Sequence, residues 1–310
     1  MAGKNLAAID LGTNSCRLLI TADNGKEVYR EAISTRLGEG MSEKNCFTDA
    51  AIERGLQALG KFAKIIRQND VESYRAIATA ACRTAENGYK FVAMVKEICG
   101  INLEIIDGEE EALLTLHGAV LNADKNFPYV IVYDLGGGST EITLATNTTH
   151  PQILYTISIP WGARTAAEKF DLIEYDAPKA QKLAAEIKKY TDIFVKESNL
   201  ARYLPECCCV ATSSPALRMM SMIKNTKTYD RYYADGLSAD TEDFDKVIAD
   251  LFKMNFAQMS ESPYIGENRA AIFVAGGIIF QTIYKNLHIK KITSSLKGAM
   301  EAVCAELREQ

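Results

Sequence analysis

Leu6-Ala7-Ala8-Ile9-Asp10-Leu11-Gly12-Thr13-Asn14-Ser15-Cys16-Arg17-Leu18-Leu19-Ile20 runs apolar into an aspartate, turns through small residues and leaves apolar again. That grammar is a strand, a tight turn and a returning strand. It recurs 124 residues later as Val130-Ile131-Val132-Tyr133-Asp134-Leu135-Gly136-Gly137-Gly138-Ser139-Thr140-Glu141-Ile142-Thr143-Leu144. Counted from each aspartate, the Asp, the Leu, the first Gly and the Ser coincide. Matches inside the same grammar predict two lobes of similar build. The length agrees: 310 residues are long for one hydrophobic core and comfortable for two.

Outward from these two hairpins, helices and strands alternate, which points to α/β layers. Ile52, Leu56, Leu59, Phe62 and Ile66 make a one-sided helical stripe behind the caps Thr48 and Asp49. Tyr74 to Ala78 and Leu103 to Ile106 read as strands around a helix centred on Phe91 to Val95, and another helix follows Gly108. The polar stretch Asp124 to Pro128 places the lobe boundary, giving lobes 1–124 and 125–310. Beyond it, Pro178 opens a long helix, Cys207 to Ala211 is a buried strand, and Asp240 precedes a further helix. Arg269 to Tyr284 is helical, with a Gly276-Gly277 pair that close packing must offset. Ile289 to Thr293 is a last strand, and the final helix from about 298 is expected to cross back to the first lobe.

Composition narrows the function classes. Lysine plus arginine total 35 against 40 aspartate plus glutamate, a formal charge of -5, which argues against a non-specific DNA binder. No run approaches a membrane span and the first ten residues lack a signal-peptide core, so a cytoplasmic protein off the membrane is expected. The eight cysteines contain no CxxC, and Cys207, Cys208 and Cys209 are consecutive; reduced, mostly buried thiols are the plain expectation. Three histidines, well apart, make zinc sites and Ser-His-Asp or Cys-His mechanisms poor choices.

The turns carry the chemistry. Gly136-Gly137-Gly138-Ser139 exposes bare N–H groups that can wrap a phosphate, and Asp134 beside it suits the hard cation that neutralises one. Asp10 with Gly12-Thr13-Asn14-Ser15 offers a similar turn on the other lobe. Neither is a P-loop nor a dinucleotide fingerprint. Geometry alone would explain either turn; the pair favours phosphate. Glu109, Glu110 and Glu111 open a helix, where from local sequence a charge–dipole contact is the better explanation and catalysis by one of them the other. At most one or two can face a site. Arg83 follows a strand in a small-residue segment, where a guanidinium fork suits phosphate oxygens. Arg17 and Arg36 have weaker claims, the latter beside the loop Leu37-Gly38-Glu39-Gly40.

Together with Arg269-Ala270 and Ala275-Gly276, these segments resemble the exopolyphosphatase / guanosine pentaphosphate phosphohydrolase (Ppx/GppA) family of the actin-like ATPase superfamily. The resemblance implies an α/β chain of two actin-like (ribonuclease H-like) lobes with a central cleft, and hydrolysis of a terminal phosphoanhydride. It implies Glu111 as catalytic base with Arg83 on the phosphate, and phosphate donors in Thr13, Asn14, Ser15, Arg17, Gly136, Gly137, Gly138 and Ser139. Asp134, Glu141 and Asp10 match the acidic residues around Mg²⁺ (or Mn²⁺). Arg36, Arg269, Lys290, Lys291 and Lys297 are rim or polyanion-track candidates. The expected substrate is inorganic polyphosphate or, as the alternative, guanosine pentaphosphate; a catalytically weak phosphate-binding relative and, less favoured, a small-molecule kinase remain. Family habit leans to a homodimer. The chain departs from the family at Val210-Ala211-Thr212-Ser213-Ser214-Pro215-Ala216, which lacks a Gly-Gly-Thr loop, and at Ser295-Leu296-Lys297-Gly298-Ala299, where a Gly-Leu-Arg-Glu-Gly pattern is expected. Both departures are expected on the side that handles the rest of the substrate.

Overall fold

The computed structural model describes residues 5–41 and 45–309. The chain divides into two compact units, Met1–Gly118 with Ala299–Gln310, and Ala119–Gly298.

In the first unit a five-stranded sheet has the order β3-β2-β1-β4-β5. Its strands are β1 (Asn5–Leu11), β2 (Ser15–Thr21), β3 (Glu27–Ser34), β4 (Val71–Ala78) and β5 (Leu103–Ile105). β1, β2 and β3 are antiparallel neighbours, whereas β4 runs parallel to β1 and β5 parallel to β4. The apolar β1 and β2 make sense because both faces are covered. Ile9, Leu11, Leu18 and Ile20 pack with Leu59, Phe62, Phe91 and Val95 of the helices Asp49–Gln68 and Gly88–Cys99. Ala8, Leu19 and Ile77 instead meet Leu114, Met300 and Val303. Thr48 caps the helix Asp49–Gln68 through its side chain, as its sequence position predicts. β3 escapes a pattern reading because its burial is only partial and its charges at Glu27, Arg30 and Glu31 mask the period.

The closing helix Ala299–Glu309 belongs to this first unit. Met300, Val303 and Cys304 bury its inner face, each such side chain being worth roughly 1.5–3 kcal/mol. Arg30, 7% exposed, pairs with Glu27 and Glu301, which secures the helix to β3.

The second unit has a six-stranded sheet in the order β10-β11-β9-β6-β7-β8. These are β6 (Tyr129–Leu135), β7 (Thr140–Thr146), β8 (Ile153–Ile159), β9 (Cys207–Ala211), β10 (Ser238–Asp240) and β11 (Lys291–Ser294). From its other edge, β8-β7-β6-β9-β11 repeats the first sheet, strand directions included, with β10 added antiparallel to β11. The helix Glu267–Asn286 runs through the core, where Phe280 meets Tyr133 and Phe244 at ring distances of 5.3 Å. Its Gly276-Gly277 pair packs closely against Pro215 and Leu251.

The first crossing between units falls after Gly118, earlier than a break after residue 124. Lys125 Nζ donates to the Val120 carbonyl and Asn147 Oδ1, and Asn147 Nδ2 donates to the carbonyls of Asp124 and Phe127. These bonds tie 120–127 to the second unit.

Candidate active site

In the first unit, the β1–β2 register sets Asp10 directly opposite Arg17, and Arg17 Nη1 lies 3.2 Å from Asp10 Oδ2. Burial raises the Asp10 carboxyl above its usual range, although the Arg17 charge and hydrogen bond pull it down. The turn between them is closed by the Gly12 N–H donating to the Ser15 carbonyl at 3.0 Å. A second loop laces it from below: the Gly38 N–H donates to Thr13, and the N–H groups of Thr35 and Arg36 donate to Asn14. A Cβ on Gly38 would sit 2.4 Å from Thr13 Cγ2, so that methyl would have to shift to admit it. Arg36 itself is exposed, in the left-handed region at φ 46°. The turn carbonyls are engaged from that loop, and the N–H groups of Thr13 and Asn14 meet no protein acceptor among the described residues. Asn14 Oδ1 is buried without a partner.

Arg83 arrives through the register of the parallel strands. The Thr79 N–H donates to the Leu11 carbonyl, tying the end of β4 to that of β1, and the short helix Ala80–Thr84 follows at once. Arg83 Nη1 donates to the Ile106 carbonyl at 2.8 Å and lies 3.3 Å from Glu111 Oε2. The helix Gly108–Ala119 begins where Asp107 Oδ1 accepts from the Glu110 N–H. Its three glutamates have different fates. Glu109 is exposed, Glu110 pairs with Arg75, and Glu111 faces Arg83. Arg75 also holds Glu104 at 3.0 Å and Glu306 at 3.3 Å.

The second unit repeats the turn. The Gly136 N–H donates to the Ser139 carbonyl at 3.0 Å, the same closure as in the first. Here the helix Ala163–Phe170 holds the loop from below. The N–H groups of Ala163, Arg164 and Thr165 donate to the carbonyls of Gly136 and Gly137, and Thr165 Oγ1 donates to that of Gly138. Among the described residues, the N–H groups of Gly137, Gly138 and Ser139 meet no protein acceptor. Asp134 and Glu141 are direct cross-strand partners, so two half-buried carboxylates stand on one face where the first unit sets Asp10 against Arg17. Like charges opposed in this way repel. Hard oxygen donors so placed fit a divalent cation such as Mg²⁺, which is commonly held by one or two carboxylates with water and phosphate oxygens. Glu141 Oε1 also accepts from Ser158 Oγ at 3.0 Å. Among the described residues no group of three or more His, Cys, Asp or Glu forms a metal cage.

Several placements were not legible in the sequence. Gly162 is one: its Cβ would fall 2.5 Å from the Gly137 carbonyl carbon and 2.6 Å from the Gly138 nitrogen. The signal lay in a glycine standing just before Ala163-Arg164-Thr165, where a helix starts. Arg164 Nε, Thr212 Oγ1 and Ser213 Oγ are buried polar atoms without partners. The Thr212 N–H donates to the Tyr133 carbonyl and the Ser295 N–H to that of Ala211. Both divergent segments therefore adjoin the strand end that carries Asp134. Of the basic rim candidates, Lys290 and Lys291 are exposed at the start of β11, whose other end meets Ala211. Lys297 Nζ donates to Asn122 Oδ1 at 3.0 Å. Arg269 lies in the first turn of the helix Glu267–Asn286. The eight cysteines are free thiols, and burial pushes Cys82 and Cys207 up to about 12. No helix among the described residues is long and apolar enough to cross a membrane.

A five-strand arrangement repeated in both sheets, each with a similar glycine- and serine-containing turn, defines a two-lobed α/β chain of the actin-like kind. The sequence matches the Ppx/GppA phosphatase family over residues 20–309, and the chain belongs to that family. It is 42% identical over 158 residues to exopolyphosphatase 2 of Mycobacterium tuberculosis, covering 46% of this chain and 49% of that protein. It is 37% identical over 177 residues to the bifunctional 3-dehydroquinate synthase/phosphatase of Fusobacterium nucleatum, covering 54% of this chain and 26% of that protein. The matched stretch thus spans about half, or about a quarter, of these relatives' length. Among solved structures, an exopolyphosphatase-like protein has a TM-score of 0.86 at 25% identity, covering 99% of this chain and 98% of that one. The Aquifex aeolicus family member has a TM-score of 0.80 at 25% identity, with the same coverage.

Proposed function

We propose that the chain is an exopolyphosphatase-type phosphohydrolase that releases terminal phosphate from inorganic polyphosphate by attack of water. The observation that carries this reading is the repeated turn, closed alike in both units, in which the N–H groups of Thr13, Asn14, Gly137, Gly138 and Ser139 meet no protein acceptor among the described residues. Such amides bind phosphate oxygens. Family membership supports the reaction class.

In this reading Glu111 takes the proton of the attacking water as oxygen bonds to the terminal phosphorus. The bridging P–O bond breaks, and the shortened chain leaves with its electron pair. Arg83 releases Glu111 to bind phosphate oxygens; position and charge compensation are most of what phosphoryl transfer needs. Asp134 and Glu141 would hold Mg²⁺, which supplies positive charge against the phosphate oxygens.

The test is phosphate release from polyphosphate, guanosine pentaphosphate, ATP and pyrophosphate, assayed side by side with Mg²⁺ and after chelation. The expected result is Mg²⁺-dependent release, fastest from polyphosphate. A preference for guanosine pentaphosphate would move the substrate assignment to the nucleotide. Binding without release from any of them would overturn the hydrolase reading.

A further inference from the structure

Arg218, on the helix Ser214–Ile223, is a largely buried cation with neutral partners. Its guanidinium lies 4.0 Å over the Tyr229 ring, a cation–π contact. Nε donates to Ser214 Oγ at 3.2 Å, and Nη1 donates to the carbonyls of Tyr264 and Ile265. Among the described residues no carboxylate pairs with it, and Nη2 has no partner. Burial pushes the guanidinium downward. A buried cation without a counter-ion is costly, and hydrogen bonds to neutral groups offset only part of the loss.

The group opens on a pocket of about 300 Å³ lined also by Tyr229, Ser262, Asn268 and the first turn of the helix Glu267–Asn286. Gly266 precedes that helix and gives it no side-chain cap. Arg231 and Arg269 both bear on Tyr229 as positive charges, against Asp230. Glu267 is the carboxylate in the lining, and it is exposed. The Nη2 amino group left over from those bonds, the helix start and the neighbouring arginines suit an anion with several oxygens.

We infer that this pocket is a second phosphoryl-binding site of the unit, separate from the glycine turn, with the Arg218 guanidinium as its anchor. Free phosphate and the distal phosphates of a bound chain share this chemistry; the second source rests on the hydrolase reading, whereas the pocket itself does not. The experiment is calorimetric titration of the full chain with inorganic phosphate. Because the glycine turns also bind phosphate, two classes of site are expected. Asn268→Asp, an exposed substitution that leaves the fold intact, and Arg218→Lys, which keeps charge without the fork, should each weaken one class by about tenfold or more, as a charge-assisted bond is worth. Isotherms of both variants superimposing on wild type would overturn the site. In hydrolysis of tripolyphosphate, a raised KM with unchanged kcat for Asn268→Asp assigns it to distal substrate phosphates; loss of product inhibition with KM unchanged assigns it to free phosphate. Calorimetry needs no turnover, so a chain that hydrolyses nothing leaves this test standing.

Discussion

Glu110 and Glu111 are neighbours in sequence, yet one is held by Arg75 and the other faces Arg83. Their separation needs only the helical rotation between adjacent residues, but which of them faces Arg83 depends on where β4 and β5 end. Local sequence alone therefore left the trio ambiguous, and only the family resemblance singled out Glu111. Asp10 shows a related conflict. It is buried, and burial outweighs its exposed partner Arg17, so its carboxylate is held at a cost to the fold. Asp10→Asn removes that cost. It should melt no lower than wild type, with a gain of up to ~1 kcal/mol, while Mg²⁺-dependent phosphate release falls. A loss of stability greater than ~2 kcal/mol would show the carboxylate to be a structural anchor instead.

At the scale of elements, the turns are alike but their supports differ. A loop through Gly38 holds the first, and the start of the helix Ala163–Phe170 holds the second. The turns themselves were legible because aspartate, glycine and serine recur at fixed spacing. Their supports were not, because these come from residues distant in sequence. Gly162→Ala tests the second support. The added methyl would collide with turn backbone at 2.5–2.7 Å, and backbone cannot swing aside as a side-chain end can. The expected result is a loss of about 1–3 kcal/mol in urea unfolding, the usual scale of overpacking, together with a raised KM for polyphosphate. Wild-type stability and KM would show that the turn tolerates displacement.

For the whole molecule, the duplication announced by Asp10 and Asp134 is realised as a five-strand order shared by both sheets, with β10 added to the second. Strands with continuous apolar runs, such as β1, β6 and β9, were readable because both their faces are buried. β3 and β8 lie outside β2 and β7, and in β3 the charges of Glu27, Arg30 and Glu31 blur the period. The divergent stretch around Ser213 was visible as a departure, but its position beside the Asp134 strand follows from parallel register, which no local pattern encodes.

The central claim is that Glu111 is the base for water attack, and comparison of two neighbouring variants tests it most directly. Glu111→Gln should bind polyphosphate nearly as wild type and lose ~10²-fold or more in kcat, whereas Glu110→Gln, losing an ion pair with Arg75, should keep most of its turnover. Near-wild-type turnover by Glu111→Gln would contradict the account.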